Sequence, residues 1–338
     1  MEIEIIDMGE QAFILINAPL ILLNLAANIF YACCLIFPPR NAPRLKQPLK
    51  MLLGCLFWSS IGYCVSLALL YCVLKEKKHL IMSILSWVIV LFFLHNSMSC
   101  SVWLNFYYYI QIVPAQRALM VWVKRNIKSF MNMALLFDGT LYLFSGAIYS
   151  VNIILNVKMF TYINGTETGH QFDGLHFPEE VCIFINKVHI FLSLCIMTVS
   201  SFSTGRYLHR HMKSVAQGFS TPRIQSQMRV TITGISQGVF YFLYGTFYIY
   251  SSFTYILLSP HVFGPWISFT ATSLYISGTT VNLGIGQAVC RQRAADGWKA
   301  LKALCGAGMV THDMKMHSSH HTSGEIPNTV TVDVQMSV

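Results

Sequence analysis

Charged side chains are scarce in this chain of 338 residues. Asp, Glu, Lys and Arg together make up 11% of it, whereas hydrophobic residues make up 54%. Because about a quarter of the residues in a soluble globular protein are charged, the composition excludes an ordinary soluble domain. It predicts a polytopic membrane protein that has the lipid bilayer as a partner.

The short motifs of common enzyme classes are also missing. The sequence has no P-loop, no HExxH motif and no GxSxG motif in a strand–turn–helix setting. Its ten Cys residues are scattered, and no pair has zinc-ligand or redox spacing. We therefore expect no catalytic residues, no cofactor and no metal site. We interpret the His residues near the C-terminus as part of a solvated tail rather than as metal ligands: His312, His317, His320 and His321.

Long apolar stretches are what the chain has instead. Seven segments each provide the roughly 20 helical residues that are needed to cross about 30 Å of hydrocarbon, where irregular backbone would find no hydrogen-bond partner. They span approximately residues 11–37, 49–74, 80–113, 130–157, 181–205, 230–258 and 263–288. The sequence therefore predicts an all-α fold, a seven-transmembrane helix bundle over residues 11–290.

The distribution of Lys and Arg predicts how these helices are oriented. Of the 23 basic residues, most flank the helix ends on one side, and such residues mark the cytoplasmic side. The exceptions are Lys75, Lys77, Lys78, Lys158 and Lys187. Residues 1–10 are predicted to be extracellular and the C-terminus cytoplasmic. Because the basic residues lie in short loops between helices, the net charge of +9 does not indicate nucleic-acid binding.

One predicted outer loop, residues 158–180, carries an N-glycosylation sequon. It consists of Asn164, Gly165 and Thr166. Because the charge distribution places this loop outside, we expect Asn164 to be luminal and glycosylated.

Two further segments follow the last predicted helix. Residues 291–305 place basic side chains beside Trp298 and Leu301, a pattern typical of a short amphipathic helix along the inner membrane interface. Residues 306–338 are polar and rich in His and Ser. We expect this cytoplasmic tail to be disordered.

The predicted loop between the fifth and sixth helices, residues 209–234, is strongly basic and contains no acidic residue. Gly218 and Pro222 interrupt helical continuity in its middle, so two helical extensions are expected below the bilayer, joined by a bend. Its composition fits two interpretations. The loop is either a docking surface for a cytosolic partner or a basic anchor against anionic lipid headgroups.

Ionisable side chains inside the predicted helices are few: His95, Asp138, Lys187 and His189. Such groups cost about 2.5–3.5 kcal/mol at the bilayer centre, so each is a candidate for function. His95 is either a satisfied core residue or a ligand contact. Asp138 favours a tie between helices over a binding role, and Lys187 either snorkels to water or faces a ligand.

Aromatic residues are concentrated in the outer halves of the sixth and seventh predicted helices: Tyr241, Tyr244, Phe247, Tyr248, Trp266, Phe269 and Tyr275. At helical spacing such residues are typical of packing. Together with Trp87 and His95 they can instead line an apolar cavity with few polar contacts, as small-molecule sites do.

Seven helices with an outer N-terminus indicate a G-protein-coupled receptor. The marks of the rhodopsin type are absent, however, since the third helix does not end in Asp-Arg-Tyr and no Asn-Pro-x-x-Tyr closes the seventh. No Cys stands at the outer start of the third helix either. A transporter would call for charged chains or paired helices broken by Gly or Pro, and the sequence shows neither.

The basic loop resembles that of the bitter taste receptors, taste receptor type 2. In that family the link between the fifth and sixth helices carries a His, then Gly-Phe-x-x-Pro, then an Arg seven residues on. The matching residues here are His209, Gly218, Phe219, Pro222 and Arg229. A second family His falls at Gln227.

Weaker resemblance covers nearly the whole chain. Asn28 matches the Asn of the family's first helix. Residues 107–112 are similar to its Phe-Tyr-x-x-Lys-Ile run, with Tyr107 for Phe and Gln111 for Lys, and residues 122–127 to its Leu-Lys-x-Arg segment. The family's second-helix Arg falls near Ser60. Its seventh-helix His-Ser falls near Ser277-Gly278.

The resemblance implies a plasma-membrane chemosensory receptor for small bitter-type molecules, with a vomeronasal type-1-like receptor as the nearest alternative and a transporter as a further one. It implies ligand contacts in the outer helices at Val90, Leu94, His95, Tyr241, Tyr244, Ile267 and Thr270. Lys187 is added to this set as an ionisable group. Because Val90 and Leu94 replace the usual Trp and Asn, the ligands of typical members are not transferred. A heterotrimeric G protein would bind the inner surface through Lys124, Arg125, His209, Arg210, Lys213 and Arg229.

Overall fold

Every regular element in the described part of the chain is a helix. The computed structural model describes residues 8–38, 45, 47–76, 80–114, 117–162, 176–215, 222–258, 264–299 and 302, without the side chains of residues 156–162, 176, 211–215, 222–227 and 252–258. The helices are α1 Glu10–Ile36, α2 Leu49–Glu76, α3 Leu80–Ile112, α4 Ala118–Arg125, α5 Ile127–Tyr162, α6 His176–Val215, α7 Pro222–Leu258 and α8 Pro265–Gly286. Residues 288–299 form a last helix, α9.

The predicted all-α fold is confirmed over these residues. Each of the seven predicted apolar segments coincides with one of the long helices. α6 and α7 continue beyond these segments into the basic loop, to Val215 and from Pro222, which confirms the two predicted helical extensions. The predicted bend between them lies outside the described residues. The short α4 has no counterpart among the predicted segments, because eight residues ending in Lys124 and Arg125 are too short and too polar to register as a span.

Within the described ranges, five helical segments are long and apolar enough to cross a membrane. They are Glu10–Ile36, Leu49–Glu76, Leu80–Ile112, Ile127–Leu155 and Phe177–Arg210. In α7 and α8, hydroxyl, amide and glycine residues dilute the apolar ones. Several of these polar groups form hydrogen bonds with neighbouring helices.

The long helices form a ring in which each contacts the next along the chain, and α3 makes additional contacts across it. The contacts run from α1 to α2, α3, α5, α6, α7 and α8, and α8 returns to α1, which closes the ring. α3 also contacts α6 and α7 across the interior. Small buried residues let neighbouring helices approach α3 closely: Ser97, Ser99, Cys100 and Ser101.

A series of amide–hydroxyl hydrogen bonds joins α1 to α8. The side-chain amides of Asn17, Asn24 and Asn28 donate to Thr270 Oγ1, Ser277 Oγ and Thr280 Oγ1 at 2.7, 2.6 and 3.0 Å. Because the partner numbers rise together, α1 and α8 run parallel. This direction is what an odd number of alternating long helices requires.

α9 has a polar end. Residues 293–299 are exposed, and within the unit that begins at Gln292 the Lys302 ammonium lies 5.4 Å from the centre of the Trp298 ring. The amphipathic helix predicted over residues 291–305 is therefore helical to residue 299. Its binding to the membrane interface stays a prediction.

Candidate functional site

A cavity of about 210 Å³ lies between α3, α5 and α6, with Tyr248 of α7 at its edge. It is in the half of the bundle where α1, α3 and α6 begin, since Trp87 and Glu179 line it. Its wall is largely aromatic and aliphatic: Trp87, Leu91, Phe92, Tyr142, Tyr149 and Tyr248. An apolar wall with few polar groups is typical of small-molecule sites, although this one is smaller than the roughly 300–1,000 Å³ of drug-sized pockets.

One face of α6 lines this cavity and includes polar side chains. The lining positions on α6 are Glu179, Cys182, Ile183, Asn186 and Lys187, and this spacing of three and four residues is that of a single helical face. The Glu179 carboxylate accepts a short hydrogen bond from the Asn152 amide of α5. The Lys187 ammonium, which is half-buried, forms no hydrogen bond or ion pair with the described residues.

His95 of α3 lines the same cavity and has one ring nitrogen without a partner among the described residues. The residue is only 6% exposed, and its ring stacks on Tyr142 with the centroids 4.5 Å apart. Its Nδ1 lies 2.8 Å from the Leu91 carbonyl oxygen, so Nδ1–H is the donor and Nε2 is left as an acceptor. Nε2 is buried and has no hydrogen-bond partner among the described residues.

Behind His95 a buried hydrogen-bonded chain connects α3, α5 and α6. The Trp103 indole N–H donates to Asp138 Oδ2 at 2.8 Å, and His189 Nε2–H donates to Asp138 Oδ1 at 2.8 Å. The Tyr142 hydroxyl donates to His189 Nδ1 at 2.7 Å. The carboxylate of Asp138 therefore ties three helices together, as expected from the sequence, and the chain ends at the ring that stacks on His95.

The eight residues predicted to contact ligand divide into two groups. His95 and Lys187 lie on the cavity wall. Val90, Leu94, Tyr241 and Tyr244 are instead buried in the apolar cluster of the bundle. Thr270 accepts the hydrogen bond from Asn17, and Ile267 is half-buried about one turn before Thr270 in α8. Ligand contact stays a prediction for all eight.

The sequence did not single out the α5 wall of the cavity. Tyr142, Ser145, Gly146 and Tyr149 line it, at positions that recur every three or four residues along α5. The sequence contains this periodicity. The greater density of aromatic residues in the last two long helices drew the prediction of the ligand site to those helices instead.

The predicted partner-binding residues lie at the opposite end of the bundle. Lys124 and Arg125 end α4, His209 and Arg210 lie in the last part of α6, and Arg229 lies in the first part of α7, all exposed. The side chain of Lys213 and the whole of Asn164 fall outside the described residues. No group of three or more His, Cys, Asp or Glu side chains that could hold a metal ion occurs in the described ranges.

A second polar cluster lies between the cavity and this basic end. The Asn105 amide of α3 lies 2.6 Å from Ser201 Oγ of α6 and 3.2 Å from the Gly234 carbonyl of α7. The Gln237 amide of α7 donates to Ser101 Oγ of α3 and Thr279 Oγ1 of α8. These hydrogen bonds join α3, which lines the cavity, to α6 and α7, which extend to the basic end.

Comparison with known proteins identifies the family. A family model described as taste receptor protein (TAS2R) matches residues 7–297, and no individual curated protein matches the chain. The match spans α1 to α8 and confirms the resemblance carried by the basic loop. The chain therefore belongs to the taste receptor protein family TAS2R, the bitter taste receptors, which are G-protein-coupled receptors and not enzymes.

Proposed function

We propose that this protein is a plasma-membrane chemosensory receptor with seven membrane spans and an extracellular N-terminus. It binds small bitter-type molecules in the cavity between α3, α5 and α6. It activates a heterotrimeric G protein at the basic end of the bundle. The observation that carries this proposal is a cavity, partly lined by predicted ligand residues, in a chain of the taste receptor family.

The geometry supports seven spans. The parallel hydrogen-bonded pair α1 and α8 places the start of the first long helix and the start of the last at the same end of the bundle. The basic side chains of α4, α6 and α7 gather at the other end, which the distribution of Lys and Arg makes cytoplasmic. The cavity then opens in the outer half.

The contacts of α3 support coupling between the two ends. α3 carries His95 at the cavity and Asn105 in the second polar cluster, which bonds to α6 and α7. A ligand that shifts α3 against α6 and α7 would change the relative stability of two arrangements of the basic end. The family match favours this taste-type role over the vomeronasal type-1-like alternative.

Guanine-nucleotide exchange tests the proposal. Membranes that contain the full chain and a G-protein α subunit are exposed to a panel of bitter small molecules, and exchange is measured against concentration. We expect activation by some compounds, and His95→Ala shifts their concentration dependence at equal surface expression. The matched control is Leu85→Ala, an exposed position on the same helix.

Two outcomes would count against the proposal. Exchange that no compound stimulates, in membranes where surface labelling detects the protein, contradicts receptor function. Equal shifts for His95→Ala and Leu85→Ala remove the cavity from the binding site.

A further inference from the structure

We propose that the cavity between α3, α5 and α6 selects small aromatic acids, whose carboxylate pairs with Lys187 and whose hydrogen-bond donor binds His95 Nε2. This inference rests on the proposed function and adds the chemical class of the ligand.

The ammonium of Lys187 is unpaired among the described residues. Lys187 lines the cavity, is half-buried, and has no ion-pair or hydrogen-bond partner among the described residues. A charge held at an apolar wall is costly unless it is paired. An anion bound in the cavity supplies the pair, and its charge-assisted hydrogen bonds are stronger than neutral ones.

Glu179 is the acidic side chain among the described residues of the cavity wall, and it already has a partner. Glu179 already accepts the Asn152 amide and lies in the first turn of α6, where the helix dipole stabilises a negative charge. Glu179 and Lys187 are eight residues apart, which separates them by about 12 Å along the helix. Glu179 therefore does not neutralise Lys187, and an anionic ligand is favoured over a cationic one.

His95 carries a hydrogen-bond acceptor without a partner among the described residues. Because Nδ1 is held by the Leu91 carbonyl, Nε2 of the neutral ring can only accept, and this atom is buried without a partner among the described residues, in a side chain that lines the cavity. A buried polar atom without a hydrogen bond is uncommon and costly. A ligand hydroxyl or N–H that donates to Nε2 removes this cost.

The remaining wall determines the body of the ligand. Trp87, Phe92, Tyr149 and Tyr248 offer aromatic surface, which packs against rings in offset or edge-to-face arrangements. The small volume of about 210 Å³ restricts the ligand to one or two rings. The combined features describe a one- or two-ring aromatic acid that carries a hydroxyl or N–H group.

Ligand-induced thermal stabilisation of the purified full chain in detergent tests this inference without relying on signalling. The probes are 6-hydroxy-2-naphthoate, its methyl ester, 6-methoxy-2-naphthoate and 6-aminomethyl-2-naphthol. We expect 6-hydroxy-2-naphthoate to bind best. Lys187→Met should weaken its binding about tenfold or more, which corresponds to about 1.4 kcal/mol, and should leave binding of the ester within about twofold of the unmodified receptor's.

Two further variants make the test specific. Lys75→Met replaces an exposed lysine at the end of α2, outside the cavity, and should leave binding of the acid unchanged. His95→Phe keeps a ring to stack on Tyr142 but removes the acceptor. In that variant the preference for 6-hydroxy-2-naphthoate over 6-methoxy-2-naphthoate should disappear.

Each alternative outcome has a distinct meaning. Stronger binding of the amine than of the acid overturns the inference and assigns the charge contact to Glu179. An acid that binds Lys187→Met as tightly as the unmodified protein also overturns it, and Lys187 then only snorkels to water. If bitter compounds stimulate nucleotide exchange but the acid does not bind, the proposed function stands and the inference falls. If the acid binds through Lys187 and no compound stimulates exchange, the inference stands and the proposed function falls.

Discussion

Asp138 is the residue on which the buried hydrogen-bonded chain depends. Its two carboxylate oxygens accept from Trp103 and His189, and His189 in turn accepts from Tyr142. A carboxylate in an apolar interior is tolerated when such donors satisfy it. At this scale one side chain holds α3, α5 and α6 together behind the cavity.

Replacement of Asp138 separates the loss of an acceptor from the loss of a charge. In Asp138→Leu the Trp103 and His189 N–H groups lose their partners, and we expect a loss of about 1–3 kcal/mol of stability. In Asp138→Asn the carbonyl still accepts from Trp103, and its amide can donate to His189 once the ring proton moves to Nδ1, so a loss of about 0.6 kcal/mol is expected. Thermal unfolding of the purified protein measures both. Equal losses would mean that the hydrogen bonds to Asp138 contribute little.

At the scale of elements, α1 and α8 pack together because the polar residues of each helix form hydrogen bonds with the other. Asn17, Asn24 and Asn28 each bond a hydroxyl of α8. Gly284 permits close approach, because a Cβ at this position would overlap the Tyr31 hydroxyl. The polar residues that lower the hydropathy of α8 thus face a helix that satisfies them.

Asn28→Leu should weaken this pairing. The change removes the amide that donates to Thr280, and hydrogen bonds between membrane helices contribute about 0.6 kcal/mol on average and up to about 1.7 kcal/mol. We expect a lower unfolding temperature of that order for Asn28→Leu and no change for Ala26→Leu, an exposed position on the same helix. A loss from Ala26→Leu as large as that from Asn28→Leu would indicate a general packing defect in α1.

α6 and α7 form a second pair of helices, and their basic ends carry the proposed G-protein contacts. Arg229 is exposed in the first part of α7, two turns before the second polar cluster, and its charge can contact a G protein. We expect Arg229→Ala to change basal or agonist-driven nucleotide exchange and to leave surface expression and ligand affinity nearly unchanged. Lys46→Ala, in the first predicted inner loop, should have little effect. An equal loss of signalling from both variants would support the basic membrane anchor instead.

At the scale of the whole molecule, the proposed orientation in the membrane rests on charge and helix direction. The start of α1 and the exposed basic residues of α4, α6 and α7 lie at opposite ends of the bundle. If the basic end is cytoplasmic, as we propose, the cavity end is extracellular.

The sequon at Asn164 reports this orientation. If the segment between α5 and α6 is luminal, Asn164 is glycosylated, and glycosidase treatment increases the mobility of the protein on a gel. Asn164→Gln and Thr166→Ala should both migrate at the position of the treated protein without treatment. A C-terminal tag that is accessible on intact cells would contradict the proposed orientation.

The helices were predictable because they depend on local pattern. Long apolar stretches specify spanning helices wherever they occur in a chain, and the loop that contains Gly218, Pro222 and Arg229 carried the family resemblance before any tertiary contact was known. The extensions of α6 and α7 beyond the apolar segments leave no hydropathy signal, and they were predicted instead from the helix-breaking Gly218 and Pro222 in the basic loop.

The candidate site was only partly predictable, because it depends on which helix faces meet. The sequence by itself determined the all-α fold, the family, and the two ionisable groups His95 and Lys187 as candidates. Only the tertiary structure placed them around one cavity with Tyr142, and placed Tyr241 and Tyr244 in the apolar cluster instead. The physical reason is that helix formation is local, whereas a cavity arises between residues that are distant in sequence, where the rotation of each helix decides which side chains share it.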